Sequence, residues 1–170
     1  MNEAEQRLLL YRSGDRVLGI PLDTVVEVLP AFELTGVPGL HESAVGLVCL
    51  RGDILPVIGA DIAGSARPRV LTAQHKFIVV SSGGRMLVLL AEYIDDIIQI
   101  PVVPDSDPGY LSDHRGGIDR VVMHGEKMVF VLDMDRLMAA TAYPPSVERP
   151  ASVGVRESRA IALNHHLDTG

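Results

Sequence analysis

Along Val45–Ile58, two apolar stretches rich in β-branched residues stand on either side of Arg51-Gly52-Asp53, the pattern of two buried strands joined by a tight connection. Gly52 opens backbone conformations closed to residues with a Cβ, and Pro56 predicts an edge, a strand start or a bulge for the second strand. Leu8–Tyr11 and Val17–Ile20 flank the polar Arg12-Ser13-Gly14-Asp15-Arg16, a hairpin signal that ends at Pro21. Asp23–Leu29 reads either as one helical turn capped by Asp23 leading into a short strand, or as strand throughout. Pro30–Ser43 reads as a loop or a short edge strand, and Gly59–Ala73 as a loop turning at Gly64-Ser65-Ala66-Arg67-Pro68. Further on, Asp135 is placed to cap a short helix that runs to Ala140.

The chain then uses its opening pattern a second time. Aligning Leu8 with Phe77 sets Gly14 opposite Gly83, Arg16 opposite Arg85, Leu18 opposite Leu87, Asp23 opposite Glu92, Val25 opposite Ile94, Glu27 opposite Asp96 and Val28 opposite Ile97. With some drift through the loops, Gly46 falls opposite Gly117 and Gly52-Asp53 opposite Gly125-Glu126, which leads into Met128–Leu132 as Gly52 leads into Ile54–Ile58. A strand-rich unit used twice implies two similar small β-barrels in one chain, against the plainer alternative of hairpins that resemble one another by chance.

Composition narrows the function. With 47% hydrophobic residues in 170, the chain can bury a substantial core, yet aromatics are 4% and Trp is absent, so that core is built from Val, Ile and Leu, which works against a base-stacking or carbohydrate-binding platform. A net charge of -7 opposes nonspecific attraction to nucleic acid or anionic lipid. One cysteine excludes an intrachain disulfide and fits a reducing compartment. Met1–Arg7 is polar and acidic, unlike a secretion signal, and no apolar run nears the roughly 20 residues that span a bilayer, so a cytoplasmic protein is expected. From Tyr143 the composition shifts to a Pro-rich linker, Pro144–Pro150, followed by a thinly amphipathic stretch.

Arg51 is the residue that stands out chemically. An arginine between Leu50 and Gly52 is ill suited to a barrel interior, because burying an unpaired guanidinium costs more than its aliphatic stem regains. It is predicted at a strand end, reaching a carboxylate or a partner. Gly46–Ile58, with Leu50-Arg51-Gly52 and Pro56-Val57-Ile58, resembles the signature of the CheW family, the adaptors that couple chemoreceptors to the histidine kinase CheA.

The resemblance implies an all-β fold of two five-stranded small β-barrels packed over a shared apolar seam, with short helices and a C-terminal tail. On that reading 1–7 is an N-terminal extension and 8–141 the domain. Its first barrel takes roughly 14–75, and its second takes 76–141 together with the first strand, 8–13. Residues 142–170 form the linker and tail, with 155–167 as a candidate helix. The implied function is a non-catalytic scaffold, cytoplasmic and gathered at membrane-associated receptor arrays, with no cofactor and no metal. Its implied partners are the regulatory domain of a CheA-type histidine kinase and the cytoplasmic tip of methyl-accepting chemotaxis receptors, not nucleic acid or a membrane that it enters. Arg51, paired with Glu27 and able to re-pair, would contact partners along with Val28, Val48, Leu50, Gly52 and Asp53. Two positions depart from the family pattern: Cys49 stands where Asn is common, and Gly59 where an acid follows Pro-Val-Ile, an acid that the second copy keeps as Asp133. A paralogue serving a surface-sensing or pilus chemosensory system is the alternative within the fold, and a small β-barrel enzyme the alternative outside it.

Other reactive residues have plain explanations. Cys49, small and set among Val and Leu, is expected to be an inert buried hydrophobe. His41, His75, His114, His124, His165 and His166 include no pair at helical metal-site spacing. Asp95-Asp96 and Asp105–Asp107 read as solvated rim or loop, and Ser81-Ser82-Gly83-Gly84 as a hairpin turn without the lysine of a phosphate loop.

Overall fold

The computed structural model describes residues 4–36, 44–59, 71–102 and 117–141. The apolar runs become β1 (Glu5–Ser13), β2 (Arg16–Pro21), β3 (Val25–Pro30), β4 (Ala44–Leu50), β5 (Asp53–Ile58), β6 (Lys76–Ser82), β7 (Arg85–Ala91), β8 (Tyr93–Pro101), β9 (Ile118–His124) and β10 (Lys127–Leu132). One helix, α1 (Met134–Ala140), follows, and a 3-10 turn at Leu22–Thr24 separates β2 from β3. The strands form two five-stranded sheets, ordered β8-β1-β2-β10-β9 and β3-β6-β7-β5-β4.

The two orders are the same list with the repeats exchanged. β1–β5 and β6–β10 are equivalent units, and each lends its opening hairpin to one sheet and its remaining three strands to the other. Thus β3 pairs antiparallel with β6 as β8 does with β1, and β5 runs parallel to β7 as β10 does to β2. Even the bulges recur: register slips between Val25 and Glu27 in β3 and opposite Leu10/Tyr11 in β8, leaving Val26 and Asp95 as the extra residues.

The exchange corrects the expected division of the chain. Lys76–Ala91 belongs with β3, β4 and β5, not with 93–132, and Arg16–Pro21 joins β1 in the sheet of β8–β10. The physical cause is a chain break after each opening hairpin, at Pro21–Thr24 and at Ala91-Glu92, which carries the next strand across to the other sheet. Glu92 fastens one crossing: its N–H donates to the Arg12 carbonyl at 2.8 Å and its Oε1 accepts from Gly14 N–H at 3.1 Å. The supposed extension 1–7 is also shortened, because Glu5–Arg7 is strand, with Glu5 opposite Pro101. Neither ladder closes into a full barrel among the described residues. In the second sheet, though, a single bridge from Thr35 to Leu47 brings the chain after β3 to the far edge, β4.

Three apolar clusters account for the unbroken hydrophobic runs of β1, β2, β6 and β7, which are buried on both faces. Leu8 and Leu10 face the interior of the first sheet with Val17, Ile98, Ile100, Val129 and Val131. Phe77, Val79, Val88 and Leu90 fill the second with Val48, Leu55 and Val57. The alternate residues, Leu9 and Tyr11, Ile78 and Val80, Leu87 and Leu89, meet in a seam between the sheets, which α1 completes with Met134, Leu137 and Met138. Tyr11 is 1% exposed, and burial pushes its phenol above the ordinary value of 10.0. The native state therefore keeps this proton where the unfolded chain releases it, so stability is whole below pH ~10 and falls above it. In a spectrophotometric titration, the last phenolate step is expected to coincide with loss of strand signal.

Several local expectations shift by a residue or two. Leu22–Thr24 is the helical turn, but Pro21 precedes it as its cap and Thr24 Oγ1 donates to the Pro21 carbonyl at 2.7 Å; Asp23 lies inside. Asp133, not Asp135, caps α1, accepting from Arg136 N–H at 3.1 Å, while Asp135 accepts from Ser82 Oγ at 2.6 Å. Pro56 lies in a strand with neighbours on both sides, tolerated because the parallel ladder to β7 begins only at Val57. The loop turn at 64–68, the acids 105–107, the linker, the candidate helix 155–167, and His41, His114, His165 and His166 lie outside the described residues.

Candidate functional site

Leu50 opposes Asp53, so Arg51 and Gly52 alone join β4 to β5. Both have positive φ, 49° and 89°, the two-residue turn whose twist matches the flanking strands. Gly52 adopts it freely. Arg51 is the one non-glycine residue with positive φ among the described residues, a conformation that sterics disfavour for any residue with a Cβ. Counted from the strand ends, the equivalent position in the β9–β10 turn is Gly125, with φ 63°. The first repeat has an arginine where the turn prefers glycine or asparagine.

Glu27 lies on β3, the opposite edge of the same sheet, just past the bulge at Val26. The curl of the sheet brings it to the turn, where Arg51 Nη1 donates to Glu27 Oε1 and Nη2 donates to Oε2 at 2.8 Å. The Arg51 side chain is 70% exposed and that of Glu27 20%. The hydrogen bond to Glu27, and then its charge, raise the Arg51 pKa further, so the guanidinium is charged throughout the working range. With the guanidinium in water and the carboxylate half-buried, the forked pair contributes modestly to folding. What it holds in place is a charged group at the surface, between the two edges of one sheet.

The other predicted partner residues divide. Gly52 and Asp53 border Arg51 at the surface, Val28 is 41% exposed beside Glu27, and Leu50 is half-buried against the second sheet's core. Val48 is corrected: it is 3% exposed, packed inward with Val57 and Val88, and has no surface to offer. Its neighbour Cys49 is corrected the other way, being exposed instead of buried, since adjacent strand residues face opposite sides. One equivalent of thiol is expected to react with a disulfide reagent in the folded protein, without denaturant. Gly59 has its own reason: a Cβ there would lie 2.6 Å from Val45 Cγ1. The acid kept in the second copy, Asp133, serves as a helix cap that Gly59 cannot supply.

Sequence reasoning missed a second corner of the same design. Asp95, the bulge residue of β8, pairs with Lys127 at 3.3 Å, at the foot of the β9–β10 turn, with Ile97, Met123 and Met128 exposed nearby in the same strands. The repeat alignment points one residue away, setting Asp96 opposite Glu27, whereas the Asp96 carboxylate accepts from Ile97 N–H at 2.7 Å and Asp95 makes the ion pair. His75 is structural: it is buried, and its Nδ1 accepts from Thr72 N–H at 3.0 Å.

Two five-stranded sheets that exchange hairpins, with acid–base corners at the surface beside exposed aliphatic side chains, define a class, an all-β domain of two interlocked sheets. The family model described as CheW-like domain matches residues 7–142, and the chain belongs to the CheW-like family, whose members are non-catalytic scaffolds of chemosensory signalling. It is 24% identical over 143 residues to a probable chemotaxis protein CheW of Rhizobium etli, covering 83% of this chain and 92% of that one. To protein FrzA of Myxococcus xanthus it is 30% identical over 98 residues, 58% of this chain and 61% of the relative. The crystal structure of the scaffolding protein TtCheW from Thermoanaerobacter tengcongensis superposes with a TM-score of 0.61 at 19% identity, over 76% of this chain and 89% of that one. Among the described residues, no helix is long and apolar enough to cross a membrane.

Proposed function

We propose that the chain couples the cytoplasmic tip of a methyl-accepting chemoreceptor to the regulatory domain of a CheA-type histidine kinase, and that Arg51, held by Glu27, is central to that docking. The observation that carries this reading is an exposed, doubly hydrogen-bonded arginine in a turn whose backbone favours other residues. The backbone of the turn by itself gives no reason to keep an arginine there. Val28, Leu50, Gly52 and Asp53 border the contact, which lies in the cytoplasm at the receptor array. By fixing kinase and receptor in one relative geometry, the adaptor lets a small receptor shift change which kinase state is populated.

The test is a calorimetric titration of the kinase regulatory domain, and separately of the receptor tip, with parent and Arg51→Glu proteins. The variant is expected to bind at least one of them about tenfold more weakly or worse while its thermal unfolding stays near the parent's. Unchanged binding to both would remove Arg51 from the docking surface. A second reading, in which the chain serves a different chemosensory system with altered partner contacts, draws on its 30% identity to FrzA. Parent protein that binds a kinase domain of one system and not of another separates the two.

A further inference from the structure

Neither repeat can complete a sheet from its own strands. β1–β2, β4–β5, β6–β7 and β9–β10 pair locally, but β1–β8, β2–β10, β3–β6 and β5–β7 all run between repeats. Both sheet interiors are likewise shared, with Leu8, Leu10 and Val17 packed on Val129 and Val131, and Val48, Leu55 and Val57 on Val79 and Val88. A repeat by itself would leave those faces and strand edges in water, a template for any chain able to pair with them. The surface that fits β1–β5 is β6–β10, and none of these contacts requires the two to lie on one polypeptide.

We propose that a second copy of this chain can supply the missing repeat: two chains exchange their β6–β10 halves and close a dimer that keeps every strand pairing. The sequence between Gly59 and Leu71 is the connection that joins the two repeats of each chain. That connection also sets the balance, because a short tether holds its own second repeat at an effective concentration on the order of mM. The parent therefore closes on itself at micromolar concentration, and exchange takes over when a chain's own halves cannot pair. The exchanged dimer carries the Arg51–Glu27 corner twice in one particle, an adaptor with two copies of the same face. This inference stands on the strand order alone and is independent of which partners the corner binds.

Val57 and Val88 are partners in the β5–β7 ladder, and both are fully buried. Val57→Asp spoils the first repeat and Val88→Asp the second, since each puts a carboxylate into the second sheet's interior, and each full-length variant alone is expected to be unfolded. Refolded as an equal mixture, they are expected to recover about half of the parent's strand signal in a particle of twice the chain mass, because one intact copy of each repeat is present. A mixture as unfolded as its components overturns the proposal. If either variant folds alone, a chain with a protease site written into 60–70 decides the matter. Cut, unfolded and remixed, its two pieces return as a one-to-one complex with the parent's strand signal, whereas pieces that fold separately or stay apart overturn it.

Discussion

Protein carrying Arg51→Asn is expected to lose its affinity for kinase or receptor while melting at least as high as the parent. Asn-Gly is the residue pair that this two-residue turn favours, so the substitution relieves the left-handed backbone at position 51. What it removes is an ion pair whose guanidinium lies mostly in water and whose contribution to folding is modest. Arg51→Ala gives the necessary contrast, because it removes the same guanidinium but keeps an ordinary Cβ in the disfavoured conformation. It is expected to melt below the Asn variant and to bind no better. Thermal denaturation and calorimetric titration of the same three samples check the pair of statements, with a loss of affinity of about tenfold or more in both variants. Binding that follows melting temperature across the set, instead of the presence of the guanidinium, would make Arg51 a structural residue.

Leu89→Ala is expected to destabilise the fold by about 3 kcal/mol, lowering Tm by roughly 10 °C or more. Leu89 is fully buried and lies in the seam with Leu9, Tyr11 and Leu18 of the other sheet. A cavity there is shared, so both sheets are expected to unfold in one transition, as denaturant melts followed by two probes would show. Met128→Ala, at an exposed position, is expected to change stability by no more than about 0.5 kcal/mol. Two separated transitions in the Leu89 variant would show instead that the sheets are independent.

The hairpins β1–β2, β4–β5 and β6–β7 were legible because each has a glycine-bearing break between apolar runs, and the repeat was legible because Gly14 and Gly83, or Val28 and Ile97, occupy matching places. Their φ values, 60° and 59°, and their shared exposure agree with that alignment. The exchange of hairpins was not legible, since which strand lies beside which is a long-range property that local periodicity does not carry. The expected division already gave 8–13 to the second barrel but kept Arg16–Pro21 in the first and Lys76–Ala91 in the second, and the crossings at Pro21 and Glu92 place both hairpins in the opposite sheets. At the site, the pairing of Arg51 with Glu27 could be anticipated from the resemblance. The directions of Val48 and Cys49 could not, because a strand with apolar residues on both faces does not declare its register, and one residue of slip inverts every side chain. From the sequence Asp95 reads as solvated rim, because its partner, Lys127, is supplied by a distant hairpin.

The most direct test of the central claim is a charge exchange, Arg51→Glu combined with Glu27→Arg, measured for melting temperature and for titration against the kinase regulatory domain and the receptor tip. The exchange rebuilds an ion pair across the same two edges with its polarity reversed. If the guanidinium of Arg51 is there for a partner, the double variant folds like the parent and still fails to bind. If it binds like the parent, the pair is only a tie between two strands, and the docking surface lies elsewhere.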